Sequence, residues 1–568
     1  MRRKIIAICV VAAVLLAGGA AYWFMSGSNQ PKRRAPRSSE ATAVNAEMPE
    51  IREESSEYSD FIDMSKWRYN ATDGVYYQLG ILYAKKPMDE AYERLALFVP
   101  ETFLKCKANG KDTYTCEPDK RDSVGHYDSS EAPVIIPVET PKFEANPALT
   151  SYKNFSKYTK AGFVYAHVGF RGIEHGIPAG LVDIKAAIRF IRKNQGKIPA
   201  STDHVIVFGV GEGGGLAALV GTTADSQLYK PYLSDIGAIE YGHDRVFGVM
   251  AWSPNTGWET ANEAYEWNMG YVRPNMNENQ KALSERMARE YARYINDAGF
   301  RGFDRKPLIL QYSKRGIYHE GTYYEYVKSL IEDSLNEFIN TSTYPLEIAA
   351  DGLPSFMAEY SGVFADKVRY LRRLNEKLNW IRYDRSEDRY VIRSIDDFVR
   401  LMKPAQKPLG AFDSMTRTQM ENFMFGSEEG HGYHFDKYMV KILKGNPKAG
   451  EYFNDLKKHD AFGNSVQDRL NMYSPLYFVL PSSEGYLTSK VAPYWRIRSG
   501  INQTETALTT EVNLALGVFN YPEVKRVDFK MIWGKGKIKA EENHQDSTTA
   551  FINWVDKIMA YKGSFSVE

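Results

Sequence analysis

The chain of 568 residues has almost no surplus charge. Its 72 Lys and Arg stand against 71 Asp and Glu, a formal net charge of +1. A protein devoted to nucleic acid needs a basic field, so that partner is excluded. Cysteine is scarce, with three in the whole chain, so no disulfide framework organises the fold. A chain of this length buries a self-supporting core without one. No internal repeat is present, and no Cys/His ligand frame suggests a metal; no cofactor is expected. What is plentiful is apolar surface: 43% of residues are hydrophobic and 13% aromatic, with 25% charged. That balance excludes a disordered chain. The 38 Tyr, 28 Phe and 9 Trp suit stacking on sugars or phenols, although most such rings belong in a core.

The N-terminus reads Met-Arg-Arg-Lys and then runs without a charge through residues 5–25. Those residues are long enough to cross a bilayer as a helix, with Arg2, Arg3 and Lys4 on the cytoplasmic side. A cleaved secretory signal is the rival, because small residues follow Leu15 and Leu16. Tyr22-Trp23-Phe24-Met25 extends the apolar stretch and favours an uncleaved anchor over residues 1–26. Either way the body is exported to the cell envelope. Residues 27–60, rich in Ser, Glu, Ala, Arg and Pro, read as a flexible tether. In an oxidising compartment Cys106 and Cys116, flanking an Asn109-Gly110 turn signal, either form a local disulfide or stay as free thiols.

Beyond the tether, strands are expected at 75–83, 92–99, 162–169, 204–209, 246–252, 492–499 and 527–533. Helices are expected at 179–194, from about 214, at 506–519 and at 548–559. Alternating strands and helices imply a mostly parallel sheet covered on both faces. Residues 255–470 read instead as polar, aromatic and largely helical. The expected organisation is an α/β sheet domain in two parts, 61–254 and 471–568, around a large helical lid at 255–470.

Chemistry should gather at Phe208-Gly209-Val210-Gly211-Glu212-Gly213-Gly214-Gly215, a strand running through glycines into a helix. A dinucleotide-binding turn would have Gly209, Gly211 and Gly214 in the right spacing, but the acidic residue expected after a second strand is missing. A nucleophile elbow, G-x-S-x-G with Gly211 in place of Ser, fits better, since Gly209 and Gly213 supply the small flanking residues.

Several ordered motifs accompany this turn: 177–192 around Ala179-Gly180-Leu181-Val182-Asp183, Leu228-Tyr229-Lys230-Pro231-Tyr232-Leu233, Ala264-Tyr265-Glu266-Trp267 and Lys407-Pro408-Leu409-Gly410-Ala411-Phe412-Asp413. From about Gly74 to the end the chain resembles the bacterial tannase and feruloyl-esterase-like members of the α/β-hydrolase superfamily. The resemblance places the family's Ser at Gly211. It places the acid at Gln503, within Arg498-Ser499-Gly500-Ile501-Asn502-Gln503-Thr504-Glu505-Thr506, and the His at Lys537, after Trp533-Gly534-Lys535-Gly536. Glycine has no nucleophile, a protonated lysine is a poor general base, and glutamine cannot stabilise an imidazolium.

Displaced groups are the remaining route to hydrolysis. Glu212 adjoins the vacant position but lies one residue off the elbow tip; His544 follows Lys537 by seven residues. Glu428, Glu429, His431 and His434 lack a metal-ligand frame and read as a solvated loop. The resemblance further implies that a Lys and a Glu of the lid hold phenolic hydroxyls, which here fall on Lys407 and Glu421; an ordinary lid ion pair is the equal alternative. Glu505 is placed to pair with Lys537. Arg171 and Gly172, after a strand, are candidates with Glu212 for the oxyanion loop. The expectation is a non-hydrolytic homologue binding a phenol or an aromatic carboxylate, with its protein partner open. The alternatives are an ester hydrolase using displaced residues and a structural envelope protein.

Overall fold

The computed structural model describes residues 58–110, 112–313, 318–349, 355–542 and 545–561. The expected anchor, nearly all of the tether, and His544 lie outside them. Among the described residues no helix is long and apolar enough to cross a membrane.

The run Val205-Ile206-Val207-Phe208 has no polar face, and such a strand is stable only when both faces are covered. It lies within β6 (Ser201–Val210), near the centre of a nine-stranded sheet. The other strands are β1 (Arg68–Asn70), β2 (Val75–Leu82), β3 (Arg94–Pro100), β4 (Pro133–Val138), β5 (Val164–Val168), β7 (Gly248–Trp252), β8 (Tyr494–Gly500) and β9 (Arg526–Ile532). Their spatial order is β1-β2-β3-β5-β4-β6-β7-β8-β9. The pairings from β5 to β9 are all parallel, whereas β1, β2, β3 and β5 pair antiparallel.

Alternation along β7 shows how the faces are covered. Gly248 meets Trp554 and Ile558 of the helix Ser547–Met559, while Val249 meets Gly221 of the helix Glu212–Thr222. The two helices therefore cover opposite faces. The helix Ala179–Lys193 buries Leu181, Ile184, Ala187, Ile188 and Ile191 at helical spacing. These stripes join the strands in one continuous apolar core.

Two strands escape the sequence reading. β1 is three residues long, and β4 carries Pro133 and Pro137, which argue against a central strand. The sheet accepts β4 because β5 pairs with it only at Val134 and Ile135, so Pro137 lies past that ladder. Between β7 and β8 stands the insertion, with the helices Ala261–Met269, Glu278–Ala298, Thr322–Thr341 and Ile395–Met402. It is not purely helical: three small hairpins interrupt it, Leu346–Ile348 with Gly362–Phe364, Ile381–Asp384 with Arg389–Ile392, and Ser427–Glu428 with His431–Gly432. Cys106 and Cys116 face each other across the hairpin Leu104–Ala108 and Tyr114–Pro118, and form a disulfide with an S–S distance of 2.02 Å.

Candidate functional site

β6 ends at Val210 and the helix Glu212–Thr222 begins two residues later, so one residue must reverse the chain. Gly211 does so at φ 59° and ψ −120°, a conformation costly to any residue with a side chain. Its N–H donates to Trp252 O at 2.9 Å and its carbonyl accepts from Asn255 N at 2.8 Å, which ties the turn to the end of β7. A Cβ at Gly213 would stand 2.1 Å from Val138 O, and one at Gly215 1.9 Å from Asn255 O. The glycines flanking the turn thus let the helix sit close against β4 and the loop after β7. This strand-to-helix geometry is that of a nucleophile elbow.

The space a nucleophile would use is occupied. A Cβ on Gly211 would lie 2.6 Å from Cε and 3.4 Å from Nζ of Lys537, which reaches in from the loop after β9. Lys537 Nζ donates to Glu212 Oε1 at 2.7 Å, and Asn255 Nδ2 donates to the same oxygen at 3.1 Å. Glu212 is therefore a paired residue at the first position of the helix, where the helix dipole favours a carboxylate. The expected pairing of Lys537 with Glu505 is corrected accordingly: Glu505 lies 3.9 Å from Lys407 instead. The loops after β8 and β9 are joined by backbone, Asn502 N to Lys535 O at 2.9 Å. At Gly500 a Cβ would stand 1.9 Å from Gly536 O, so the two loops touch main chain to main chain.

Gln503 is buried and turned away from the elbow. Its Nε2 donates to Thr506 Oγ1 at 2.7 Å and Glu511 Oε1 at 3.0 Å, while its Oε1 accepts from Thr506 N at 3.0 Å. Behind it lie two residues missed in the sequence. Lys403 Nζ donates to the Gln503 carbonyl, and Glu511 also accepts from Ser499 Oγ at 3.1 Å. Burial drives both toward neutrality, pushing Glu511 up to about 7 and Lys403 down to about 7, with their mutual attraction opposing it. The signal for Glu511 was present: it is the one charged residue in the helix Leu508–Phe519.

In the lid, Lys407 Nζ stands 3.6 Å from Glu421 Oε1 and 4.1 Å from the centroid of the Phe412 ring. Burial pushes the Glu421 carboxyl up and Lys407 opposes that shift; the Glu212 charge adds to it, so this cluster lies within electrostatic reach of the elbow. Lys407, Glu421 and Glu505 form one partly exposed group of a cation and two carboxylates.

Arg171 does not serve an oxyanion loop. Its backbone N–H and Nε each donate to Asp183 Oδ2 at 2.9 Å and its Nη2 to Oδ1 at 2.6 Å, with Glu93 at 3.7 Å. Gly172 is packed so tightly that a Cβ would stand 2.2 Å from Ala145 N. Both follow β5, which does not adjoin β6; the neighbours of β6 are β4 and β7, and the segment that leaves β4 beside the elbow is 139–143. The acidic and His residues of the lid also separate. Glu428 pairs with Lys458 at 2.7 Å, Glu429 and His431 are exposed, and His434 is buried against Asp413 at 2.6 Å and stacked on Tyr452. Among the described residues no group of His, Cys, Asp and Glu is arranged to hold a metal.

The BD-FAE family model matches residues 126–290, the stretch from before β4 to beyond β7 that carries the elbow. Across solved structures, a tannase from Fusobacterium nucleatum superposes with a TM-score of 0.67 at 23% identity, over 88% of this chain and 100% of that one. The chain has the tannase fold. A tannase from Lactobacillus plantarum gives a TM-score of 0.64 at 20% identity over 88% and 100% of the two chains. A tannin acyl hydrolase in complex with 3,4-dihydroxybenzoate gives 0.64 at 20% over 87% and 97%. A comparison with curated protein sequences finds no match. At the elbow of this chain the turn is built, and a lysine stem stands where a side chain on residue 211 would go.

Proposed function

We propose that the chain is a non-hydrolytic, tannase-fold protein of the cell envelope that holds a phenolic or aromatic-carboxylate ligand through Lys407, Glu421 and Glu505. One observation carries the loss of hydrolysis: the Lys537 stem stands 2.6 Å from where a Cβ on residue 211 would be. Displaced chemistry gains no support from Glu212, whose carboxylate is engaged by Lys537 and Asn255. Binding is supported by the lid cluster, where a lysine over an aromatic ring between two carboxylates presents both donors and acceptors to a hydroxylated ring. The solved tannin acyl hydrolases with 3,4-dihydroxybenzoate and ethyl gallate make that ligand class the first to try. Lys537 is already neutralised by Glu212, so a ligand carboxylate gains little from it. Attachment to the membrane rests on residues 5–25 of the sequence.

Calorimetric titration of the full-length protein with 3,4-dihydroxybenzoate should show binding that Lys407→Ala weakens about tenfold or more, the scale of a charged hydrogen bond. Methyl gallate incubated with the same protein should stay intact. Turnover abolished by Glu212→Gln would establish displaced catalysis instead, and binding unmoved by Lys407→Ala would remove the ligand assignment.

A further inference from the structure

A recess adjoins the elbow, and its lining shares no residue with the Lys407, Glu421 and Glu505 cluster. It encloses about 400 Å³ between the ends of β4 and β6 and the loop after β9, within the range of ~300–1,000 Å³ usual for small-molecule sites. Its floor follows from strand register. Pro137 and Phe208 are direct partners across the β4/β6 ladder, so their side chains lie side by side on one face of the sheet. They give the recess an apolar base.

Its polar wall is unequal in charge. Lys142, Lys537 and Lys539 line it against Glu139 and Glu212, which leaves one positive charge in excess. Lys537 and Glu212 cancel each other through their 2.7 Å contact. Lys142 and Lys539 are exposed at their mouth positions, and among the described residues neither forms an ion pair. Lys539 Nζ lies 5.8 Å from the centroid of the Trp252 ring, a weak hold that leaves its donors available. An apolar floor under two unpaired ammonium groups, with one carboxylate at the rim, selects for a molecule with an apolar body and a single negative head.

We infer that this recess is a binding site for an amphipathic monocarboxylate, an aryl- or alkyl-alkanoate without need of ring hydroxyls. The body rests on Pro137 and Phe208, and the head faces Lys142 and Lys539. The site goes beyond the phenol-binding reading and does not depend on it.

The probe is 4-phenylbutyrate, titrated calorimetrically into the full-length protein, with 4-phenylbutanol and 4-phenylbutylamine as neutral and cationic counterparts. The acid is expected to bind at one site, the alcohol at least about tenfold more weakly, the margin of a charged hydrogen bond, and the amine not at all. Lys142→Gln with Lys539→Gln should weaken the acid by a similar factor, while Lys407→Ala leaves it unchanged. Absence of heat with the acid, equal binding of the alcohol, or affinity untouched by the two Gln substitutions overturns the inference. The ligand comparison needs no variant, so it stands even if a substitution disturbs folding. Binding of 3,4-dihydroxybenzoate that Lys407→Ala weakens, with no heat from 4-phenylbutyrate, would leave the phenol reading intact while this one fails, and the reverse pattern would do the opposite.

Discussion

Adding one carbon at the elbow separates backbone strain from side-chain replacement. Gly211→Ala places a Cβ on a residue at φ 59° and ψ −120°, which costs ~1–3 kcal/mol in strain for a non-glycine residue. The same carbon falls 2.6 Å from Lys537 Cε. The obstacle is the far end of a flexible side chain, so the lysine moves rather than the sheet. Moving it takes the ammonium from Glu212, whose side chain is only 13% exposed. Asn255 remains on that carboxylate, so the further loss is about 1–2 kcal/mol, below the full cost of an unpaired buried charge. The sum is a destabilisation of about 2–5 kcal/mol. Urea unfolding of the full-length protein, followed by tryptophan fluorescence, reads it. The decisive quantity is the cycle with Lys537→Ala. In that background the carbon has room and the ion pair is already gone, so Gly211→Ala should cost less by about 1–2 kcal/mol. Additivity within ~0.5 kcal/mol would refute the claim that Lys537 occupies the nucleophile's place.

Lys403→Met should destabilise by ~1–3 kcal/mol at pH 7, because the Gln503 carbonyl loses its buried donor and the Glu511 carboxyl loses the charge that opposes its upward shift; Glu511→Leu in the same chain should recover part of it. If Lys403→Met proves neutral at pH 7, the buried contact contributes nothing to stability. In the lid, burial and the Asp436 charge push the Glu263 carboxyl up, while burial and the Asp413 charge push Asp436 up to about 6. Raised carboxyls bind protons more tightly in the folded state, so their contribution is complete below pH 4 and is lost as pH rises through 6. Glu263→Gln should therefore flatten the fall of melting temperature between pH 5 and 8; an unchanged slope counts against a shared proton. For topology, residues from about 60 onward should be open to external protease in spheroplasts while remaining membrane-bound, and a mature chain beginning near Ala21 would replace the anchor with a cleaved signal.

The elbow was legible because its demands are local. A strand apolar on both faces, a glycine where φ is positive and glycines beside it appear in one short stretch. What was not legible depended on sheet order. Pro133 and Pro137 disguised β4, and the crossover that sets β4 rather than β5 beside β6 cannot be read from the order of strands in the chain. Arg171 and Gly172 consequently follow a strand that lies one place away from β6. Lys537 was singled out by the family resemblance, but its partner was not. Glu505 looked available because it occupies a family acidic position, yet the lid brings Lys407 to it, and that contact spans about a hundred residues of insertion with no periodic signal. The Lys403/Glu511 pair escaped for the same reason.

On the proposed reading Gly211, Gln503 and Lys537 stand where a hydrolase of this fold has its triad, and each would then be a repacked position. Removing a nucleophile by drift alone would leave a void at the elbow, and replacing an imidazole by lysine would leave a loose cation. Here the lysine stem fills the space that Gly211 opens, and Glu212 neutralises its charge from the first turn of the helix. Gln503 is equally specific. Its amide donates to Glu511 and Thr506 and accepts from Thr506 N. An ionised Asp at that position would set a second carboxylate against Glu511 and could not donate to it. Each substitution is thus matched to a neighbour that an active triad would not require. The turn at φ 59° has an architectural use whatever its chemistry: it carries Glu212 and the close glycines that set the helix against β4, and with them a wall of the recess between β4 and β6.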